Sequence, residues 1–170
     1  SLLTGRYTGS TETQFEKDLG LLPATADAKA FLRILAEVGD GELTTDYWEK
    51  TLPLELSTSS GRSPSLLAYY AALVLCDARA LFSKGKVADL LDPPASGKKK
   101  ALERHHLFPK RYLAKLKIHG VRETNQIANY ALVEWDDNIA ISDVSPVAYW
   151  PKYSARFVES ELADMMRWHA

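Results

Sequence analysis

Residues 103–117, Glu-Arg-His-His-Leu-Phe-Pro-Lys-Arg-Tyr-Leu-Ala-Lys-Leu-Lys, and residues 125–142, NQIANYALVEWDDNIAIS, decide how the rest of the chain is read. If His105 and His106 end a strand, their side chains alternate in direction, so one can face a cation while the other faces a different part of the same pocket. Pro109 follows three residues after the second histidine. With its φ fixed and no N–H to donate, it turns the chain out of the strand and begins a helix over Lys110 to Lys115, which leaves the pocket open. The apolar alternation over Tyr130 to Glu134 suits a second strand, and a last helical stretch is expected from Ala155 to Trp168.

Upstream, the chain to about Leu91 reads as helical. Thr11 with Gln14 resembles a capping box before Phe15 and Leu19, with Gly20 ending the turn. A second helix is expected over Ala26 to Val38, where Phe31, Leu32, Leu35 and Val38 recur at helical spacing and Gly39 supplies the stop. A third covers Thr44 to Lys50. The fourth starts at Ser63 as N-cap with Pro64 at the first position, and presents Leu67, Tyr70, Ala71, Val74, Ala78, Leu81 and Phe82 inward. DPPASGKKK, residues 92–100, has the composition of an exposed connector and places a boundary between residues 1–95 and 96–170.

The 170 residues, 46% of them hydrophobic, suffice for one core with an appended subdomain. A net charge of -1 excludes a surface that is basic throughout, so any nucleic-acid contact must be local. The charge is indeed local. Lys98, Lys99, Lys100, Arg104, Lys110, Arg111, Lys115 and Lys117 stand within twenty positions with Glu103 as the one acid among them. Such a patch attracts a polyanion and makes binding salt-dependent without reading sequence. The single cysteine, Cys76, lies in an apolar run and reads as a small buried hydrophobe, which excludes disulfides and zinc knuckles. No segment reads as a signal peptide or a membrane span, so a cytoplasmic protein without membrane contact is the default. Ser1 followed at once by Leu2, Leu3 and Tyr7 reads like entry partway into a larger protein.

The ordered set of His105-His106-Leu107-Phe108-Pro109, Asn129 before a hydrophobic strand, and Asn138 on the next element resembles the HNH, or ββα-metal, nuclease motif. From Glu103 to about Tyr153 the chain is similar to the C-terminal nuclease domain of the GmrSD-type restriction endonucleases, which are type IV, modification-dependent enzymes. The run from LLTGRY to TSSGRSP resembles the region that joins this domain to an N-terminal nucleotide-binding domain, a partner absent from this sequence. The resemblance implies an α+β, predominantly helical fold: a helical N-terminal part, a ββα-metal motif and C-terminal helices. It implies a DNA endonuclease of an anti-phage restriction system, acting on phage DNA with modified bases. Carried over, His106 is the general base, His105 and Asn138 hold a divalent metal, and Asn129 braces the loop that carries the histidines.

The chemistry of these side chains agrees. An imidazole titrating near pH 6.5 accepts a proton effectively at neutrality, and an amide offers donors and an acceptor to a loop's backbone. One imidazole and one amide without a carboxylate bind Mg2+ weakly, and imidazole favours Mn2+, Co2+ or Ni2+. Asp136 and Asp137 are alternative sources of a carboxylate. Cleaving both strands with one such centre requires a homodimer or two successive nicks. Other readings stay open: a non-catalytic DNA-binding module, or a nuclease acting on RNA. His119 and His169 are read as solvated. Tyr149, Trp150, Trp135 and Tyr153 are read as core ahead of base-stacking residues, and Arg6 and Arg62 as phosphate contacts or helix caps.

Overall fold

A computed structural model describes residues 4–7, 9–57, 60, 63–91 and 101–169. The fold is predominantly helical α+β, with one two-stranded sheet among the described residues. The chain divides into two compact units, one of residues 1–56 and 60–68, the other of 57–59 and 69–170. Composition places a boundary at residue 95, within residues 92–100 that lie outside the described residues, whereas the contacts divide the chain near residue 68. Residues 69–91 belong to the unit that holds the strands. No helix among the described residues is long and apolar enough to cross a membrane.

The first unit contains α1 (Thr11–Leu19), α2 (Ala28–Glu42) and α3 (Leu52–Glu55), the last preceded by a π-helical turn at Tyr47–Thr51. The expected capping box is absent: Ser10 is the N-cap residue of α1, with no side-chain bond, and Gln14 Nε2 donates to Asp18 instead. Asp27 does cap α2, its Oδ1 accepting from the Ala30 N–H at 2.7 Å. Gly39 does not stop α2, which runs on to Glu42. Gly20 does close α1 as its C-cap residue, in right-handed conformation, its N–H donating to the Glu16 carbonyl at 2.9 Å. Arg6 neither caps a helix nor stands ready for phosphate, since its guanidinium donates to Asp18 at 2.8 and 2.6 Å and to Glu42. Arg62 lies outside the described residues.

Helix α4 (Pro64–Leu75) begins where Pro64 predicts, with the Ser63 carbonyl accepting its first bond from Leu67, although Ser63 Oγ makes none. Its buried face carries Leu66 and Leu73, whereas the expected Leu67 and Val74 are 44% and 39% exposed. The helix ends earlier than its apolar run. Asp77 takes φ 55°, and the Ala78 and Asp77 N–H groups return to the carbonyls of Leu73 and Val74, the 6→1 and 5→2 pairs of a Schellman stop. Cys76, beside this stop, is exposed, not buried as expected. Ala78, Leu81 and Phe82 are buried, but in the tight turn beyond the helix.

In the second unit α5 (Val87–Leu91) precedes β1 (Leu102–His106), followed by α6 (Lys110–Lys115), α7 (Val121–Thr124), β2 (Tyr130–Glu134), α8 (Trp135–Ile141), α9 (Pro146–Ser154) and α10 (Glu159–His169). The strands are antiparallel, in a register that sets Leu102 against Glu134 and His106 against Tyr130. Residues 130–133 of β2 are all buried, so the strand is covered on both faces and does not alternate. Ala131 and Val133 pack with Leu81, Phe82, Ile141, Tyr149, Tyr153 and Met165, and Leu132 with Leu73, Ala80, Val87 and Leu102. Each such large side chain taken from water contributes about 2 kcal/mol. The turn at residues 79–86 covers the remaining edge of β2 through the Leu81 N–H to the Leu132 carbonyl. His169 is 3% exposed, not solvated: Nε2 donates to the Arg79 carbonyl at 2.8 Å, and Nδ1 receives the Tyr69 hydroxyl at 3.1 Å. The last turn of α10 is thereby tied to the turn that covers β2. His119 is exposed.

Candidate active site

An open cleft of about 350 Å³ is lined by Arg104, His105, His106, Pro109, Lys110, Arg111, Asn138, Ser142 and Asp143. Strand β1 delivers the two histidines, Pro109 turns the chain into α6 as its sequence predicts, and α8, which packs against both strands, delivers Asn138.

His105 is 2% exposed, and its Nδ1 stands 2.9 Å from Asn138 Oδ1. The amide is oriented from its other end, where Asn138 Nδ2 donates to Glu103 Oε2 at 2.7 Å. A carboxylate only accepts, so Nδ2 must face Glu103 and Oδ1 must face the imidazole. Glu103 lies two residues before His105, hence on the same face of β1. That spacing is the signal by which it could have been singled out from sequence.

The arrangement fits a divalent cation held by His105 and Asn138. Donors on adjacent vertices around an ion with ligands at about 2.1 Å lie roughly 3 Å apart, close to the separation observed. Burial holds the His105 pKa below the ordinary imidazole value, against the smaller effect of the Asn138 hydrogen bond, so the neutral ligand form predominates at neutrality. Without a cation the contact is a hydrogen bond in which Nδ1 donates to Oδ1, and the buried Nε2 has no hydrogen-bond partner. The His105 ring meets that of Tyr149 at 5.6 Å and 82°. Among the described residues no group of three or more His, Cys, Asp or Glu side chains could hold a metal, so water and phosphate would fill the other positions. Asp136 and Asp137 are not at this site. They line a separate hollow with Ser83, Lys84 and Glu134, where Asp137 pairs with Arg156 at 2.8 Å. The carboxylate at the cleft is that of Asp143, 3.6 Å from Arg111.

His106 is half-buried, its ring 4.5 Å from that of Tyr130 across the strand pair. Its pKa is lowered first by burial and then by the positive charges of Lys110 and Arg104, with the Asn125 hydrogen bond opposing. It is therefore an unprotonated base at neutral pH.

Asn129, 9% exposed, fastens the segment after the histidines. Its Oδ1 accepts the Phe108 N–H at 2.8 Å, while Nδ2 donates to the carbonyls of Phe108 at 3.2 Å and Thr124 at 2.9 Å. Its own carbonyl accepts the Leu107 N–H, and the Leu107 carbonyl accepts the Tyr149 hydroxyl at 2.7 Å. Tyr149 and Tyr153 are core residues; Trp135 is 39% exposed.

Of the expected phosphate contacts, Arg104, Lys110 and Arg111 line the cleft, and Lys115 is exposed on α6 without lining it. Lys98, Lys99 and Lys100 lie outside the described residues. Sequence reasoning missed Glu103, Asn125 and the bracing role of Tyr149. No local pattern points to Asn125. The chain matches no family model, no curated protein and no solved structure.

Proposed function

We propose that the chain is a metal-dependent nuclease that hydrolyses the phosphodiester backbone of DNA. The observation that carries the reading is the 2.9 Å approach of His105 Nδ1 to Asn138 Oδ1, with His106 lining the same cleft. His105 and Asn138 would hold the metal. When bound, it neutralises charge developing on the phosphoryl and leaving oxygens. His106 takes the proton from water, whose oxygen attacks phosphorus in line while the opposite P–O bond breaks and the departing sugar oxygen takes a proton from solvent. Lys110 and Arg111 hold the flanking backbone by charge, which gives affinity without sequence preference. Asn129 keeps the segment Leu107–Phe108 fixed and so keeps the base in place.

The resemblance noted above extends this proposal: the nuclease part of a modification-dependent anti-phage restriction enzyme, working with an N-terminal nucleotide-binding domain. The scarcity of anionic ligands favours a second reading, a DNA-binding module without catalysis. Nicking of supercoiled plasmid in Mg2+, Mn2+, Co2+ or Ni2+ separates the two. Native protein is expected to nick, at least as well in Mn2+ as in Mg2+, and His106→Ala and Asn138→Ala are expected not to. Plasmid binding without nicking in any of these ions supports the module. An equal rate on single-stranded RNA in competition would move the substrate class from DNA to either nucleic acid.

A further inference from the structure

We propose that Asn125 is the positioning residue that fixes the tautomer of His106, and with it the ring nitrogen that takes the proton from water. The inference rests on the nuclease reading for its catalytic consequence, but not for the tautomer itself.

Asn125 closes α7, its N–H bonded to the Val121 carbonyl at 2.9 Å. The carbonyl of the preceding residue, Thr124, is held by the same Asn129 amide that holds Phe108. The two segments that bring Asn125 and His106 together therefore share one brace. The Oδ1 of Asn125 stands 3.1 Å from His106 Nε2 and accepts the Tyr130 hydroxyl at 3.3 Å. A carbonyl oxygen has two lone pairs and no proton to give. Facing it, His106 must donate from Nε2, which leaves the lone pair on Nδ1. The Tyr130 ring, 4.5 Å from the imidazole, restricts its rotation out of this bond. The neutral amide thus orients the base without a charge that would hold the proton once it has been taken.

The test uses the full chain labelled with 15N in its histidine rings, at about pH 8, where imidazoles are neutral. Protonated and unprotonated ring nitrogens resonate in separate ranges, and a spectrum of His106→Ala assigns the His106 signals among the four histidines. Native protein is expected to carry the proton on Nε2. Asn125→Ala should give a mixture of tautomers and lower kcat for plasmid nicking roughly tenfold or more, with KM and Mn2+ affinity unchanged. Asn125→Asp, which keeps an accepting oxygen but adds a charge that holds the proton on the imidazole, should restore the native tautomer but not kcat. A native His106 protonated on Nδ1, or the same tautomer and kcat in Asn125→Ala as in native protein, overturns the proposal. If Asn125→Ala does not fold, the native spectrum and Asn125→Asp decide it. Loss of the nuclease reading shows up separately, as nicking that survives His106→Ala, and leaves the tautomer assignment to stand or fall on the spectrum.

Discussion

Replacing Asn129 with Ala removes three side-chain hydrogen bonds, at 2.8, 3.2 and 2.9 Å, that join the segment after the histidines to the end of α7. A hydrogen bond contributes about 1 kcal/mol net, and a buried group left without its partner costs about 1–3 kcal/mol. Water can reach the part-buried Phe108 groups, whereas the bond to the Thr124 carbonyl is buried. The loss should therefore be about 3–4 kcal/mol. Asn129→Asp sharpens the test, because it keeps the acceptor for the Phe108 N–H but turns an oxygen toward two carbonyls. It should cost at least as much as Ala, although it is nearly isosteric. Guanidinium denaturation followed by tryptophan emission in a Trp48→Phe background reports on this unit, which holds the other three tryptophans, Trp135, Trp150 and Trp168. The midpoint should fall with an unchanged slope. A loss under about 0.5 kcal/mol for Ala, or native stability for Asp, would refute the bracing role.

If Glu103 orients the Asn138 amide, Glu103→Ala should weaken Mn2+ binding by about 10–100-fold, measured by calorimetry or electron paramagnetic resonance. Glu103→Gln, which can still accept from Nδ2, should fall less; equal losses would point to the charge instead. Lys110→Glu and Arg111→Glu should each weaken plasmid binding on all sequences and reduce the salt dependence by about one ion, which a salt titration of affinity reads directly. Burial lowers the His169 pKa below the ordinary imidazole value of about 6.5. Below that pH the unfolded chain binds more protons than the folded one, so the stabilisation present above it is lost as pH falls toward the folded value. Denaturation midpoints should fall between about pH 7.5 and about pH 5, and fall less in His169→Gln.

The elements around the candidate site were the most legible part of the sequence. Pro109 sets the start of α6, and residues 130–134 form β2 at the bounds their apolar character suggests. Both signals are local: a fixed φ and a short apolar run. The alternation read into β2 was misleading because burial on both faces is a tertiary fact. Helix α4 was read past its end for a related reason. The apolar run continues through Ala78 to Phe82, but Asp77 adopts a left-handed φ that periodicity does not encode. His169 reads as solvated because it stands near the end of the sequence, whereas its partners Tyr69 and Arg79 lie 100 and 90 positions earlier in the chain. Glu103 was within reach through its i−2 relation to His105. Asn125 was not, since its meeting with His106 depends on how the segment between them folds back.

Nicking by native protein and by His106→Ala, with Mn2+ binding measured on the same samples, tests the central claim most directly. Retained Mn2+ binding with nicking abolished is the expected result, since the proposed base is removed and the two proposed metal ligands, His105 and Asn138, remain. Unchanged nicking by His106→Ala, or native protein that binds no Mn2+, would contradict it.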